Sequence, residues 1–187
     1  MTGSEKLIYV VGPSGAGKDA LLDYARAHLP PGANVKFAQR WITRPADAGG
    51  EAHRPLTMPE FEKRVGASGF AMHWHAHGNG YGIDGEIRDW LQSGATVVVS
   101  GSREHLPQAL KDFPGLQVLH VTVDPAVLRE RLLRRGRETT AQIDERLERA
   151  SRYTPPRGAR VTEVRNDRCL EDGEADMLAA IMRIATA

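Results

Sequence analysis

Gly12, Pro13, Ser14, Gly15, Ala16, Gly17 and Lys18 form a G-x-x-x-x-G-K stretch between the apolar run 7–11 and a helix-like segment at 20–25. Glycines at that spacing let consecutive backbone N–H groups curl round phosphate oxygens, the start of the following helix adds positive potential, and the lysine reaches the outer phosphates. The chemistry this implies is that of a nucleoside triphosphate site. A plain glycine-rich turn is the rival, and the lysine, the spacing and the strand-to-helix context all weigh against it. Where a Ser or Thr hydroxyl ordinarily follows the lysine to meet Mg²⁺, this chain has Asp19.

Guanidinium groups supply a second set of candidates. Arg134, Arg135, Arg137 and Arg146 sit on or between two helical patterns that meet at Gly136. On charge patterning alone they are an ordinary solvated face. Beside a phosphate loop they become candidates for a lid, about 134–152, that closes over the nucleotide and stabilises charge on the moving phosphoryl group. Arg40 and Arg44 lie four residues apart where a short strand runs into a polar loop. They read either as surface arginines or as a clamp for an acceptor's phosphate, to which guanidinium offers a bidentate fork. His73, His75 and His77 alternate, so on a strand they share a face, with Trp74 and Ala76 opposite. A metal site, a polar sheet face and a hydrogen-bonding wall of the acceptor pocket, completed by Tyr81-Gly82, all stay open for them. No carboxylate or cysteine set nearby supplies further metal ligands, and Trp74 reads as core.

The elements that must position these residues follow from periodicity. Apolar stretches at 7–11, 35–38, 96–99, 118–123 and 161–164 read as strands, and 70–77 as a further one. Helical patterns cover about 84–93, 104–113, 126–135, 143–150 and 174–185, and a short helix begins at Thr57, with Pro59 in its first turn and Glu60 as capping-box partner. The stretch 46–53 lacks apolar periodicity and reads as an exposed loop. Strand and helix patterns alternate throughout, so the fold class is α/β: a three-layer P-loop kinase arrangement with a mainly parallel sheet flanked by helices. One domain is expected over 1–187, with the acceptor-binding excursion at about 39–83.

Composition sets limits. The chain has 187 residues and a formal net charge of +1, which gives no overall electrostatic drive toward nucleic acid or anionic membranes. Cys169 is the single cysteine, so an intramolecular disulfide and a cysteine-based zinc cluster are excluded. No apolar run approaches the roughly 18 residues needed to span a bilayer, and the N-terminus lacks a signal pattern. A soluble, cytoplasmic enzyme is expected, and a homodimer is left open.

With these residues in hand, the chain resembles the guanylate kinase family from the phosphate loop almost to the C-terminus. The resemblance rests on residues 12–18, Thr43-Arg44 followed by Gly50-Glu51, Gly78-Asn79 with Tyr81-Gly82, Arg131-Leu132 with Arg135-Gly136, residues 143–147, and Asn166-Asp167. The guanine-reading positions of that family depart from its pattern. Its glutamate aligns with Met72, its tyrosine with His53 and its Ser/Thr with Ile83, and the acidic strand end is Val99-Ser100-Gly101-Ser102. Such a pocket should not hold guanine selectively.

A closer resemblance is to the ribose 1,5-bisphosphate phosphokinase family. It is carried by residues 12–19, 40–45, Trp74-His75-Ala76, Gly101-Ser102-Arg103 with His105-Leu106-Pro107, and Arg152-Tyr153-Thr154-Pro155. It implies ATP-dependent phosphorylation of a sugar bisphosphate to 5-phosphoribosyl 1-diphosphate in bacterial phosphonate degradation, with ATP and Mg²⁺ as cofactors. On that reading residues 12–19 bind ATP, and Lys18, Arg44, Arg135 and Arg146 act in transfer. Arg40 and Arg44 hold the acceptor, His53, His75 and Tyr81 touch its sugar, and Asp19 meets Mg²⁺ directly or through water. The alternatives are a guanylate or other nucleoside-monophosphate kinase, and a guanylate-kinase-like binding module without catalysis. Lys18 and the arginine set argue against the module, which needs neither.

Overall fold

The computed structural model describes residues 3–45, 52–136, 138–167 and 169–187. The 46–51 part of the expected loop, Gly50-Glu51 and Arg137 lie outside the described residues.

A five-stranded sheet forms the frame. Its strands are β1 (Leu7–Val11), β2 (Val35–Phe37), β7 (Thr96–Ser100), β8 (Gln117–Thr122) and β9 (Arg160–Arg165), in the order β2-β7-β1-β8-β9 and parallel throughout. Every residue of β1 is buried. Because successive side chains alternate across a strand, Leu7, Tyr9 and Val11 join one apolar layer with Phe113 and Val118, and Ile8 and Val10 join the other with Leu21 and Ile181. Helices α3 (Glu86–Gln92) and α4 (Leu106–Asp112) cover the first face, α1 (Lys18–Ala27) and α7 (Leu170–Ala185) the second. Complete burial of such a Val or Leu side chain stabilises by about 1.5–3 kcal/mol, so β1 is a firm place from which to hang a loop.

The segment expected as an acceptor-binding excursion builds a sheet of its own. β4 (Arg54–Pro55), β3 (Arg40–Ile42), β6 (Asn79–Asp84) and β5 (Phe70–Ala76) lie in that order, with β3 and β4 parallel and the other pairs antiparallel. The chain changes sheets after Ala38: β2 belongs to the central sheet and β3 to the second. The turn between β5 and β6 is made by His77 and Gly78, which take positive φ values of 51 and 76, and Asn79 already pairs with Ala76. Helix α2 (Met58–Gly66) covers one face of this sheet, and both halves of its predicted capping box form: the Thr57 hydroxyl accepts from the Glu60 N–H, and Glu60 accepts from the Thr57 N–H at 2.8 Å. Asp84 ties sheet to helix by accepting from Trp41 Nε1 and Arg64, each at 3.1 Å, while the Arg54 and Arg64 guanidiniums lie over the Trp41 ring.

The third part is the helix pair α5 (Pro125–Arg135) and α6 (Thr140–Ser151), joined by a small cluster of Leu128, Leu132 and Ile143. Gly136 ends α5 in the left-handed region, with φ 65. The closing helix begins at Leu170, four residues before the expected Glu174. Acidic Glu171 and Asp172 occupy its first turn, where they favour a helix start.

Candidate active site

The phosphate loop leaves the carboxyl end of β1, between neighbours β7 and β8. This is the strand-order reversal at which open α/β sheets bind ligands. A cleft of about 470 Å³ opens there. Residues of the loop (Gly12, Pro13, Ser14, Gly15, Gly17, Lys18, Asp19) line one side, Arg40, Arg44, Trp74, Ala76, His77 and Tyr81 of the second sheet another, and the 101–104 loop with Arg135, Arg146 and Arg149 the remainder. Of the sequence-predicted residues, all the loop positions except the buried Ala16, together with Arg40, Arg44, Tyr81, Arg135 and Arg146, meet at this one opening, whereas Arg134 pairs with Glu130 outside it.

The loop is held open by specific contacts. Gly17 has φ 83, and a Cβ there would come within 2.6 Å of Asn166 Nδ2. Asn166 is buried and donates to the Ala16 carbonyl at 2.7 Å, which ties the end of β9 to the loop. Lys18 Nζ donates to the carbonyls of Gly12 and Pro13, at 2.9 and 3.0 Å. Those carbonyls hold the ammonium beside the loop whose amides would meet phosphate oxygens. Asp19 follows in the exposed first turn of α1.

The side of the cleft formed by the second sheet is aromatic and cationic. Tyr81 and Trp74 stack with centroids 5.5 Å apart and planes 2° from parallel, Trp74 also stacks with His105 at 5.1 Å, and the Arg40 guanidinium lies 5.6 Å from the Tyr81 ring. Burial pushes the His105 imidazole below its ordinary pKa, so it presents a neutral ring to the tryptophan. Arg44 is aimed by its neighbours: Thr43 exchanges two hydrogen bonds with Gly80, through its N–H at 3.0 Å and its hydroxyl at 2.8 Å, and His53 Nε2 donates to the Arg44 carbonyl at 3.0 Å.

Two sequence expectations are corrected here. His53, expected in an exposed loop and as a sugar contact, is 7% exposed and sits behind Arg44, outside the cleft lining. His75, expected on the acceptor wall, lies on the opposite face of β5, 3.1 Å from Glu62 and edge-on to Phe61. Strand parity grouped His73 with His75 correctly, but α2 covers that face. The cleft takes the Trp74 and Ala76 face instead, so Trp74 is both core and wall. His77, past the end of the strand, reaches the cleft. Among the described residues no three His, Cys, Asp or Glu side chains form a metal-binding group.

Sequence reasoning missed the part played by the loop after β7. Gly101 packs against Tyr9 so closely that a Cβ would fall 2.0 Å from its ring, and the Tyr9 hydroxyl accepts from the Ser102 N–H at 3.1 Å. Burial pushes the Tyr9 phenol well above its usual range, so it stays neutral. This anchoring brings Ser102, Arg103 and Glu104 to the cleft. Burial works to raise the Glu104 carboxyl, yet the Ser102 hydroxyl, its own N–H and the Arg103 charge hold it below the ordinary value.

Arg129, Arg134, Arg152, Arg160 and Arg165 each pair with an acid. Arg44, Arg103 and Arg135, all lining the cleft, form no ion pair among the described residues. Arg146 pairs with Glu138 at 2.9 Å, a carboxylate only 12% exposed. A concave site with unpaired guanidiniums is built for polyanions.

Comparisons with known proteins show the family and the fold. Over 162 residues, 87% of the chain, it is 49% identical to a ribose 1,5-bisphosphate phosphokinase of Thiobacillus denitrificans, covering 85% of that protein. The Burkholderia pseudomallei protein of the same name is 46% identical over 97% of the chain and 98% of its own length. That of Chromobacterium violaceum is 51% identical over 83% of each. Among solved structures, a guanylate kinase from Anaplasma phagocytophilum superposes with a TM-score of 0.67 at 14% identity, covering 97% of the chain and 86% of that protein. A gluconokinase from Sinorhizobium meliloti superposes at 0.51 with 22% identity, covering 96% and 93%. These last two show the fold alone. No family model matches the chain.

Proposed function

Since the chain belongs to the ribose 1,5-bisphosphate phosphokinase family, we propose that it transfers the γ-phosphoryl group of ATP to the 1-phosphate of ribose 1,5-bisphosphate, releasing 5-phosphoribosyl 1-diphosphate and ADP. The observation that carries this reading is a phosphate loop facing, across one cleft, the guanidiniums of Arg40, Arg44 and Arg103.

The reaction asks for little covalent chemistry from the protein. An oxygen of the acceptor phosphate, already anionic near neutral pH, attacks the γ-phosphorus in line; that P–O bond forms as the β–γ bridging bond breaks, and its electron pair stays on ADP. Catalysis then reduces to positioning and charge stabilisation. Lys18 exchanges the Gly12 and Pro13 carbonyls for β- and γ-oxygens. Arg135 and Arg146 approach from the lid, Arg44 and Arg40 hold the acceptor, and Tyr81 borders its sugar. His53 acts through Arg44 by fixing its backbone.

When bound, Mg²⁺ would offset the negative charge of the triphosphate. The donors present fit it: Asp19 and Glu104 both line the cleft, and a magnesium ion shared with substrate phosphates needs only one or two carboxylates. Asp19 would hold it, directly or through water.

The test is a coupled ADP-release assay with Mg-ATP against ribose 1,5-bisphosphate, ribose 5-phosphate and GMP. Turnover of the bisphosphate far above both others is expected. Fast release with GMP and none with the bisphosphate overturns the reading in favour of a nucleoside-monophosphate kinase.

A further inference from the structure

Arg103 stands where the phosphate loop, the acceptor wall and the lid converge. Its own loop is pinned to β1 through Tyr9 and Ser102, its neighbour His105 stacks on Trp74 of the acceptor wall, and its guanidinium lies 5.1 Å from the ring of Tyr153, just past the end of α6. The Tyr153 ring is in turn held edge-on by His120 at 5.1 Å. This side chain is partly buried, lines the cleft, and has an Nη1 shut off from solvent without a hydrogen-bond partner among the described residues. Glu104, the adjacent acid, is committed to the Ser102 hydroxyl at 2.6 Å and leaves the guanidinium unpaired.

A guanidinium taken out of water without an anion is costly, and the cost recedes when an anion arrives. Burial pushes the Arg103 pKa below its ordinary value, although the Glu104 charge acts to raise it. The triphosphate has Lys18, the loop amides and Arg135 to meet it. An acceptor carrying two phosphates brings more charge than Arg40 and Arg44 can match, and the link through His105 to Trp74 sets Arg103 beside the acceptor rather than over the nucleotide.

We propose that Arg103 is a third acceptor-binding arginine, a specificity determinant that holds a phosphate of the sugar bisphosphate, with Tyr153 as the platform positioning its guanidinium. The inference rests on the acceptor assignment above. It also couples the sites: Tyr153 follows the lid helix directly, so an acceptor phosphate drawn to Arg103 favours the lid position in which Tyr153 lies under the guanidinium.

Titration calorimetry of ribose 1,5-bisphosphate, and separately of a non-hydrolysable ATP analogue, into the wild-type chain, Arg103→Met, Arg103→Lys and Tyr153→Ala tests this. Thermal melts identify which variants are folded, and Arg103→Lys serves if Arg103→Met is not. Loss of one charge-assisted fork weakens bisphosphate binding by Arg103→Met about ten- to a hundredfold while analogue binding stays within about twofold. Arg103→Lys keeps the charge without the fork and falls between Arg103→Met and wild type. Tyr153→Ala weakens bisphosphate binding in the same sense but less. A folded Arg103 variant that binds the bisphosphate like wild type, or loses the analogue equally, overturns the inference and leaves the acceptor assignment standing. A wild-type chain that binds no bisphosphate overturns both.

Discussion

Asn166 Nδ2 donates to the Ala16 carbonyl at 2.7 Å, from the end of an outer strand into the middle of the phosphate loop. The same amide nitrogen lies where a Cβ on Gly17 would have to go. Loop shape is thus set by a residue about 150 positions away in sequence. Asn166→Ala leaves the buried carbonyl unpaired and should cost about 1–3 kcal/mol of stability. It should also weaken ATP binding, as read by thermal melts with and without nucleotide. An unchanged melt would show that the loop holds itself.

Lys18 and Asp19 are adjacent but have separable tasks. Lys18→Ala should lower turnover by orders of magnitude, about 10²-fold or more, with an unchanged circular dichroism spectrum. Asp19→Thr should instead shift the Mg²⁺ concentration for half-maximal turnover. Metal dependence indifferent to Asp19→Thr would remove that residue from the metal's coordination.

Arg146 and Glu138 form a pair that is largely buried, so a single substitution mixes two effects. Arg146→Ala should lower both turnover and melting temperature, because Glu138 is left buried and charged without its partner. Adding Glu138→Gln should restore the melting temperature and leave turnover low. Recovery of both would make Arg146 structural only.

The second sheet should loosen in acid. Burial tends to raise the Asp84 carboxyl, but the hydrogen bonds from Arg64 and Trp41 and the Arg64 charge hold it below the ordinary value. A carboxyl depressed in the folded state contributes stability that is fully present above its unfolded pKa, about 3.9, and is lost as pH falls through the lower folded value. Melting temperature should therefore drop in acid more steeply for wild type than for Asp84→Asn. Parallel profiles would exclude Asp84 as the source.

Much of this was legible in the chain because it is local. The phosphate loop, its strand and helix and the Thr57–Glu60 capping box depend on residues within a few positions of each other, and each formed where its spacing placed it. The mixed second sheet was not, since alternation marks a strand but not the partner it pairs with. His75 shows the same limit: parity grouped it with His73, but only Phe61 of α2 decides that their face is covered. Arg103 was a motif residue without a role, because its role arises when Tyr153 and Trp74 are brought to it from distant parts of the chain.

The central claim concerns the bond that is made. Phosphorus NMR of the chain with Mg-ATP and ribose 1,5-bisphosphate should show the 1-phosphate singlet replaced by a coupled pair of diphosphate signals as ADP accumulates, the 5-phosphate signal remaining a monoester. An unchanged bisphosphate spectrum beside conversion of GMP to GDP would contradict it.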